Sequence, residues 1–158
     1  MVDQVLIKVR KAELADLKSL LPFEQLIIQA ERPYDSTLRP DPISYYDISQ
    51  LINGQDSVVY VAELDGNIIA SGYAKSMAAK DYYLHDRYAY LGMICVLPEF
   101  RGQRILDMII KPLIKWSAEN GLHEIRLEVY DSNRNAIKAY ERLGFKKNII
   151  EMRYTGND

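Results

Sequence analysis

The chain has 158 residues, enough for one domain with a real core. Hydrophobic residues make up 48% and charged residues 27%, as in an ordinary soluble globular protein, and a net charge of −2 provides no general electrostatic footprint for nucleic acid. The single cysteine, Cys95, excludes an intrachain disulfide and makes a reducing compartment, the cytoplasm, the default; no signal-peptide pattern and no apolar run near the roughly 18 residues of a bilayer span is present, so neither export nor a membrane partner is expected.

Val5 to Arg10 alternates as a short strand. Glu13 to Leu21 reads as a helix with Leu14, Leu17, Leu20 and Leu21 on one side, and Pro22 is expected to disturb its end. Glu24 to Pro40 is harder to read, with a helical first half as one option. Asp41-Pro42 has the form of a helix start, an N-cap followed by proline, for a helix that Asn53-Gly54 would end. Val58 to Leu64 and Asn67 to Met77 are strands joined by Asp65-Gly66, a strong hairpin signal. Tyr88 to Leu97 is the most hydrophobic strand and reads as central. Arg104 to Asn120 follows as a helix stopped by Gly121, with Pro112 predicting a kink. Glu124 to Tyr130 is a strand, Asp131 or Ser132 would cap a helix running to Leu143, and Lys147 to Tyr154 would close the sheet. The order β-α-α-β-β-β-α-β-α-β implies one α/β domain over residues 1–158, with a single twisted mixed sheet of six to seven strands flanked by helices.

Two segments carry chemistry. Val96 to Ile105 joins the central strand to a helix. Free N–H groups at a helix start, with the helix dipole, make an anion site, and Gly102 lets the backbone approach a ligand. Arg101 and Arg104 add positive charge. The same turn is equally a plain strand-to-helix connection with two solvated arginines. It is neither a P-loop nor a dinucleotide fingerprint, because both glycine patterns are absent. The second segment, Asn133 to Phe145, places an amide at a helix start and Tyr140 four residues after Ala136 on one face. Alone, Tyr140 reads as a half-buried aromatic, one of twelve tyrosines.

Taken together, Val96-x-Pro98-x-Phe100-Arg101-Gly102 and Asn133-x-x-Ala136-x-x-x-Tyr140-x-x-x-Gly144-Phe145 resemble the GNAT superfamily of acyl-CoA N-acyltransferases, over roughly Tyr88 to Tyr154. The resemblance implies a GNAT-like fold and an N-acetyltransferase that uses acetyl-CoA as cosubstrate, with no metal. It implies that the backbone of Ile94, Cys95 and Val96 pairs with the pantetheine arm. Arg101, Gly102, Gln103, Arg104, Ile105 and Leu106 would cradle the pyrophosphate, Asn133 would contact the pantetheine, and Tyr140 would sit by the sulfur as general acid. A tyrosine, with reference pKa of ~10, holds its proton at neutral pH and can pass it to a departing thiolate. A backbone N–H near Ile94 is the candidate donor to the tetrahedral oxyanion.

Two departures stand out. The family loop usually carries small residues where this chain has Arg104 and Leu106, and a glutamate where it has Gly92. Arg104 could bind a phosphate itself, or the loop could be weakened. The base is then a water, or an acceptor-side residue such as His85 or Glu31. Tyr34, Tyr45, Tyr46, Tyr82 and Tyr83, with Glu24, Glu31, Asp35 and Asp41, suit a cationic amine, small molecule or peptide. They also suit a subunit contact, which leaves a homodimer open. The alternative to an enzyme is a non-catalytic acyl-CoA-binding module of the same fold.

Overall fold

The computed structural model describes residues 1–156; the domain expected over 1–158 ends on two residues outside this part. Contacts group the chain into two compact units, Met1–Glu128 and Val129–Asp158. In the first unit lie β1 (Lys8–Lys11), α1 (Leu17–Glu31), α2 (Ile48–Asn53), β2 (Ser57–Leu64), β3 (Asn67–Ala78), β4 (Arg87–Val96), α3 (Ile105–Glu119) and β5 (Ile125–Arg126). The second unit holds α4 (Arg134–Arg142). The sheet runs in sequence order, β1 to β5, antiparallel except for the parallel β4–β5 pair.

Strand alternation assigns the two faces. Val59, Val61, Tyr73 and Met93 face α1 and α2, where they pack with Leu20, Ile48 and Leu51. Gly72, one residue before Tyr73, faces Ile109 and Leu113 of α3 on the other side. Asp65 and Gly66 both take positive φ, +49° and +79°, and turn the β2–β3 hairpin as its sequence predicts.

Three expectations are corrected. Helix α1 does not end at Pro22 but runs through it to Glu31. Proline removes one backbone bond, while the continued helix buries Phe23 and Ile28, each worth about 1.5–3 kcal/mol. No helix starts at Asp41-Pro42; α2 starts at Ile48, where the Asp47 side chain accepts from the Gln50 N–H. Among the described residues the sheet has five strands, and the six to seven expected are not found. Only Ile125 and Arg126 of the Glu124 to Tyr130 segment pair, and Lys147 to Tyr154 forms no strand. A strand exists only in a ladder, and the second unit contains no other strand among the described residues.

The loop before α2 is fastened by Glu24 of α1. This side chain, only 2% exposed, accepts hydrogen bonds from the Ser44 hydroxyl (2.9 Å), the Tyr45 N–H (3.3 Å) and the Tyr46 N–H (2.9 Å). Removing it strands two backbone donors. Glu24→Ala is expected to cost about 3 kcal/mol in urea unfolding; a loss below about 0.5 kcal/mol would show that the loop is held by other means.

Candidate active site

The pairing of β3 with β4 is broken at one point. Ser71 stands opposite Cys95 and Tyr73 opposite Gly92, so Met93 and Ile94 face Gly72 alone. This is a β-bulge, and Met93 takes a left-handed φ of +49° within it. The Ser71 hydroxyl donates to the Met93 carbonyl at 3.0 Å. Gly92 and Met93 consequently share the α1/α2 face: an added Cβ at Gly92 would meet Tyr73, and Met93 packs in the core cluster containing Tyr73. On its other edge β4 pairs with β5 only at Ala89 and Tyr90. From Leu91 onward that edge has no strand partner among the described residues, and Ile94, Cys95 and Val96 lie on it. Burial pushes the Cys95 thiol up to about 11, against a smaller opposing effect of Arg101, so it stays protonated at neutral pH.

Beyond Val96 a 3-10 turn over Pro98–Phe100 leads into the loop before α3. Gly102 and Arg104 are both left-handed, with φ of +75° and +60°. Arg104 is the N-cap of α3 and its side chain makes no capping bond to the N–H groups at the helix start. Arg101 folds back, its Nε donating to the Val96 carbonyl at 3.1 Å. Gln103 is held by the N-terminal segment: its Oε1 accepts from the Val2 N–H at 2.7 Å, and its carbonyl accepts from the Gln4 side chain. Ile105 is buried against the core and Leu106 is half-buried.

In the second unit, Asn133 itself caps α4, in place of the expected Asp131 or Ser132. Its Oδ1 accepts from the Ala136 N–H at 3.3 Å. Half-buried Tyr140 lies edge-on to Phe145, with ring centroids 6.1 Å apart. At the helix end Gly144 has φ +98°, and the Leu143 and Phe145 N–H groups both return to the Tyr140 carbonyl.

The expected acceptor-side residues separate into two groups. Tyr45 and Tyr46 join Tyr73 and Tyr90 in a row of rings, with successive centroids at 5.8, 5.6 and 6.4 Å. Burial raises the phenols of Tyr46, Tyr73 and Tyr90, that of Tyr73 to about 12. Tyr82 and Tyr83 instead belong to the β3–β4 loop, where Arg126 lies over Tyr83 at 4.9 Å and over Tyr88 at 4.4 Å. His85 stacks on Tyr83, and its Nε2 is 3.2 Å from an Arg126 nitrogen. Arginine can only donate, so that nitrogen of His85 accepts and is occupied. Of the four carboxyl groups, Glu24, Asp35 and Asp41 hold the loop, Asp35 by bonding Thr37 and Asp41 by bonding Arg32 and Gln29. Half-buried Glu31 is raised by desolvation, partly offset by the nearby Tyr45. Among the described residues no group of three or more His, Cys, Asp or Glu could hold a metal.

A family model, the acetyltransferase (GNAT) family, matches residues 24–145. The chain belongs to the GNAT acetyltransferase family. Among similar solved structures is a predicted acetyltransferase with acetyl-CoA from Clostridium acetobutylicum, 19% identical, covering 94% of this chain and 96% of that one at a TM-score of 0.73. An aminoglycoside N-acetyltransferase in complex with CoA is 16% identical, covering 96% and 100%, TM-score 0.73. Glucosamine-6-phosphate N-acetyltransferase from Arabidopsis thaliana is 20% identical, covering 96% and 99%, TM-score 0.67. At these identities the likeness speaks for the GNAT fold.

Within that fold, sequence reasoning missed Tyr73 and Tyr90, which looked like core residues of strands. The signal was Gly92, a glycine inside an apolar strand, which marks a bulge or a close approach. Arg104, also unusual for a GNAT loop, occupies a backbone conformation suited to glycine at an expected cost of about 1–2 kcal/mol. Arg104→Gly is therefore expected to leave stability unchanged or raise it by up to about 1 kcal/mol in urea denaturation. A clear loss would mean that the arginine side chain stabilises the loop by more than the strain costs.

Proposed function

We propose that this chain is an acyl-CoA-dependent N-acetyltransferase that moves the acetyl group of acetyl-CoA to a primary amine by direct attack in a ternary complex. The observation that carries the reading is the open β4 edge, which bulges at Met93 and leads, through a loop with left-handed Gly102 and Arg104, to a helix start that the Arg104 side chain does not cap. An unpaired strand edge offers main-chain groups to an amide-containing arm, and a helix start with left-handed residues before it offers N–H groups to phosphate. GNAT structures of the same fold include a predicted acetyltransferase with acetyl-CoA, an aminoglycoside N-acetyltransferase with CoA and a glucosamine-6-phosphate N-acetyltransferase. Aminoglycosides and glucosamine-6-phosphate are amines, which favours an amine here, in a small molecule or a peptide.

In this reading the main chain of Ile94, Cys95 and Val96 pairs with the pantetheine. The loop from Arg101 through Gly102, Gln103, Arg104, Ile105 and Leu106 binds the pyrophosphate, mostly through N–H groups. The amide nitrogen of Asn133, whose oxygen serves as helix cap, donates to the pantetheine. The neutral amine attacks the thioester carbon, and the resulting oxyanion is met by a backbone N–H near Ile94. The C–S bond then breaks, and the thiolate takes the proton of Tyr140. The proton lost by the acceptor leaves to water or to Glu31, since His85 is engaged with Arg126. A cytoplasmic location fits the single free thiol, Cys95. The absence of a carboxylate at Gly92 favours, as second reading, an acyl-CoA-binding module without turnover.

Two measurements decide between them. Tyr140→Phe is expected to lower kcat by about 10²–10⁴ with the acetyl-CoA KM unchanged, followed by thiol release across primary amines. An unaltered kcat removes Tyr140 from the chemistry. Calorimetric titration with CoA is expected to give saturable heat; thiol release absent from every amine, with CoA still bound, would leave the binding module.

A further inference from the structure

Position 92 is a glycine for a reason that lies on the neighbouring strand. Tyr73 of β3 stands directly opposite Gly92 of β4. A Cβ built at Gly92 would fall 2.5 Å from both Cζ and the hydroxyl oxygen of Tyr73 and 2.6 Å from its Cε1. No side chain can begin there while Tyr73 keeps its place. The hydroxyl end of the phenol thus fills the volume from which a β4 side chain would otherwise project, immediately before the bulge at Met93.

The surroundings of that hydroxyl are unusual. Tyr73 is only 7% exposed, yet none of the described residues hydrogen-bonds its hydroxyl, and the oxygen is not among the fully sealed unpartnered ones. A phenol so deeply set normally finds a partner. Tyr46 packs edge-on against it at 5.6 Å, and Tyr90 lies at 6.4 Å on its other side. The charges that act on this row of rings are negative: Glu128 on Tyr73 and Tyr90, and Glu31 on Tyr46 and Tyr90. Aromatic faces and an unpartnered hydroxyl, in a field that these carboxyl groups make negative, together suit a cation bearing N–H donors.

We infer that Tyr73 is the acceptor-binding residue, its hydroxyl oxygen, held over Gly92, accepting a hydrogen bond from the nitrogen of a primary amine beside the Met93 bulge. The inference rests on the N-acetyltransferase reading for its reaction, but not for its binding geometry. The ring fixes where the nitrogen can sit, and the bulge fixes where the thioester carbon lies, so the two together set the line of attack. The phenol keeps its proton and acts by position rather than as a base.

The test compares the full chain with Tyr73→Phe, which keeps the ring over Gly92 and removes only the hydroxyl. Benzylamine, putrescine, glucosamine and a lysine peptide serve as acceptors, and benzyl alcohol as the uncharged control. Tyr73→Phe is expected to raise the amine KM about tenfold while leaving the acetyl-CoA KM unchanged. Gly92→Ala, which pushes the phenol aside, is expected to show the same selective defect, and the double variant no further loss, because both changes remove one interaction. Should Gly92→Ala fail to fold, Tyr73→Phe decides alone. An amine KM unmoved in Tyr73→Phe, or an equal loss for amine and acetyl-CoA, overturns the inference. The same amines are titrated by calorimetry into the CoA-saturated chain. If they bind without turnover and bind about tenfold more weakly to Tyr73→Phe, the transferase reading falls and this one stands; if none binds the unaltered chain, this one falls.

Discussion

One surplus residue in β4 organises the whole first unit. Met93 and Ile94 stand where a regular strand would have one residue opposite Gly72, and Met93 adopts a left-handed conformation worth about 1–2 kcal/mol of strain. That strain persists because the Met93 side chain is buried among Leu20, Leu51 and Tyr73, and because the Ser71 hydroxyl holds its carbonyl. The bulge puts two consecutive residues, Gly92 and Met93, on the α1/α2 face and sends Ile94 to the α3 face. Past Tyr90, β4 has no partner on its outer edge among the described residues. A central strand is thereby made to offer main-chain groups, which a regular five-stranded sheet would consume in its own ladder.

The same device recurs in the loop that follows. Gly102 and Arg104 are left-handed, so that the turn curls its backbone before α3 begins. Glycine does this at no steric cost, and Arg104 does it under strain. The N-terminal residues Val2 and Gln4 hold Gln103 from outside, a contact spanning about a hundred positions in the chain. Opposite, Glu24 gathers the Ser44 hydroxyl and the backbone N–H groups of Tyr45 and Tyr46, in the segment that sets Tyr46 against Tyr73. Carboxyl groups that resemble a cation pocket in the sequence are mostly structural, and phenols that resemble core packing stand beside the bulge.

Local signals were the legible ones. Asp65-Gly66 makes its hairpin, Gly144 ends its helix, and Gly121 follows the end of α3, because each depends on backbone conformations set within a few residues. The misreadings came where a distant partner outweighed a local preference. Pro22 predicts an interrupted helix, yet burial of Phe23 and Ile28 carries α1 across it. Asp41-Pro42 has the form of a helix start, yet Asp41 is taken by Arg32 and Gln29, and the backbone following it by Glu24. Lys147 to Tyr154 has strand composition, but it enters no ladder among the described residues, and composition alone does not supply a pairing partner.

From the sequence alone came the family, through Arg101-Gly102 and the Asn133 to Phe145 helix, along with the mixed sheet and the position of the loop before α3. These follow from spacings of a few residues, which the chain cannot alter without losing a turn, a cap or a helix stop. Only the tertiary structure decided what Gly92 means, that Arg104 is left-handed, and that Tyr73 is a neighbour of the bulge rather than an ordinary core residue. Those facts depend on which residue of β3 stands across from which residue of β4. A one-residue shift in that register would turn Tyr73 to the other face, and the sequence carries no short-range mark of it.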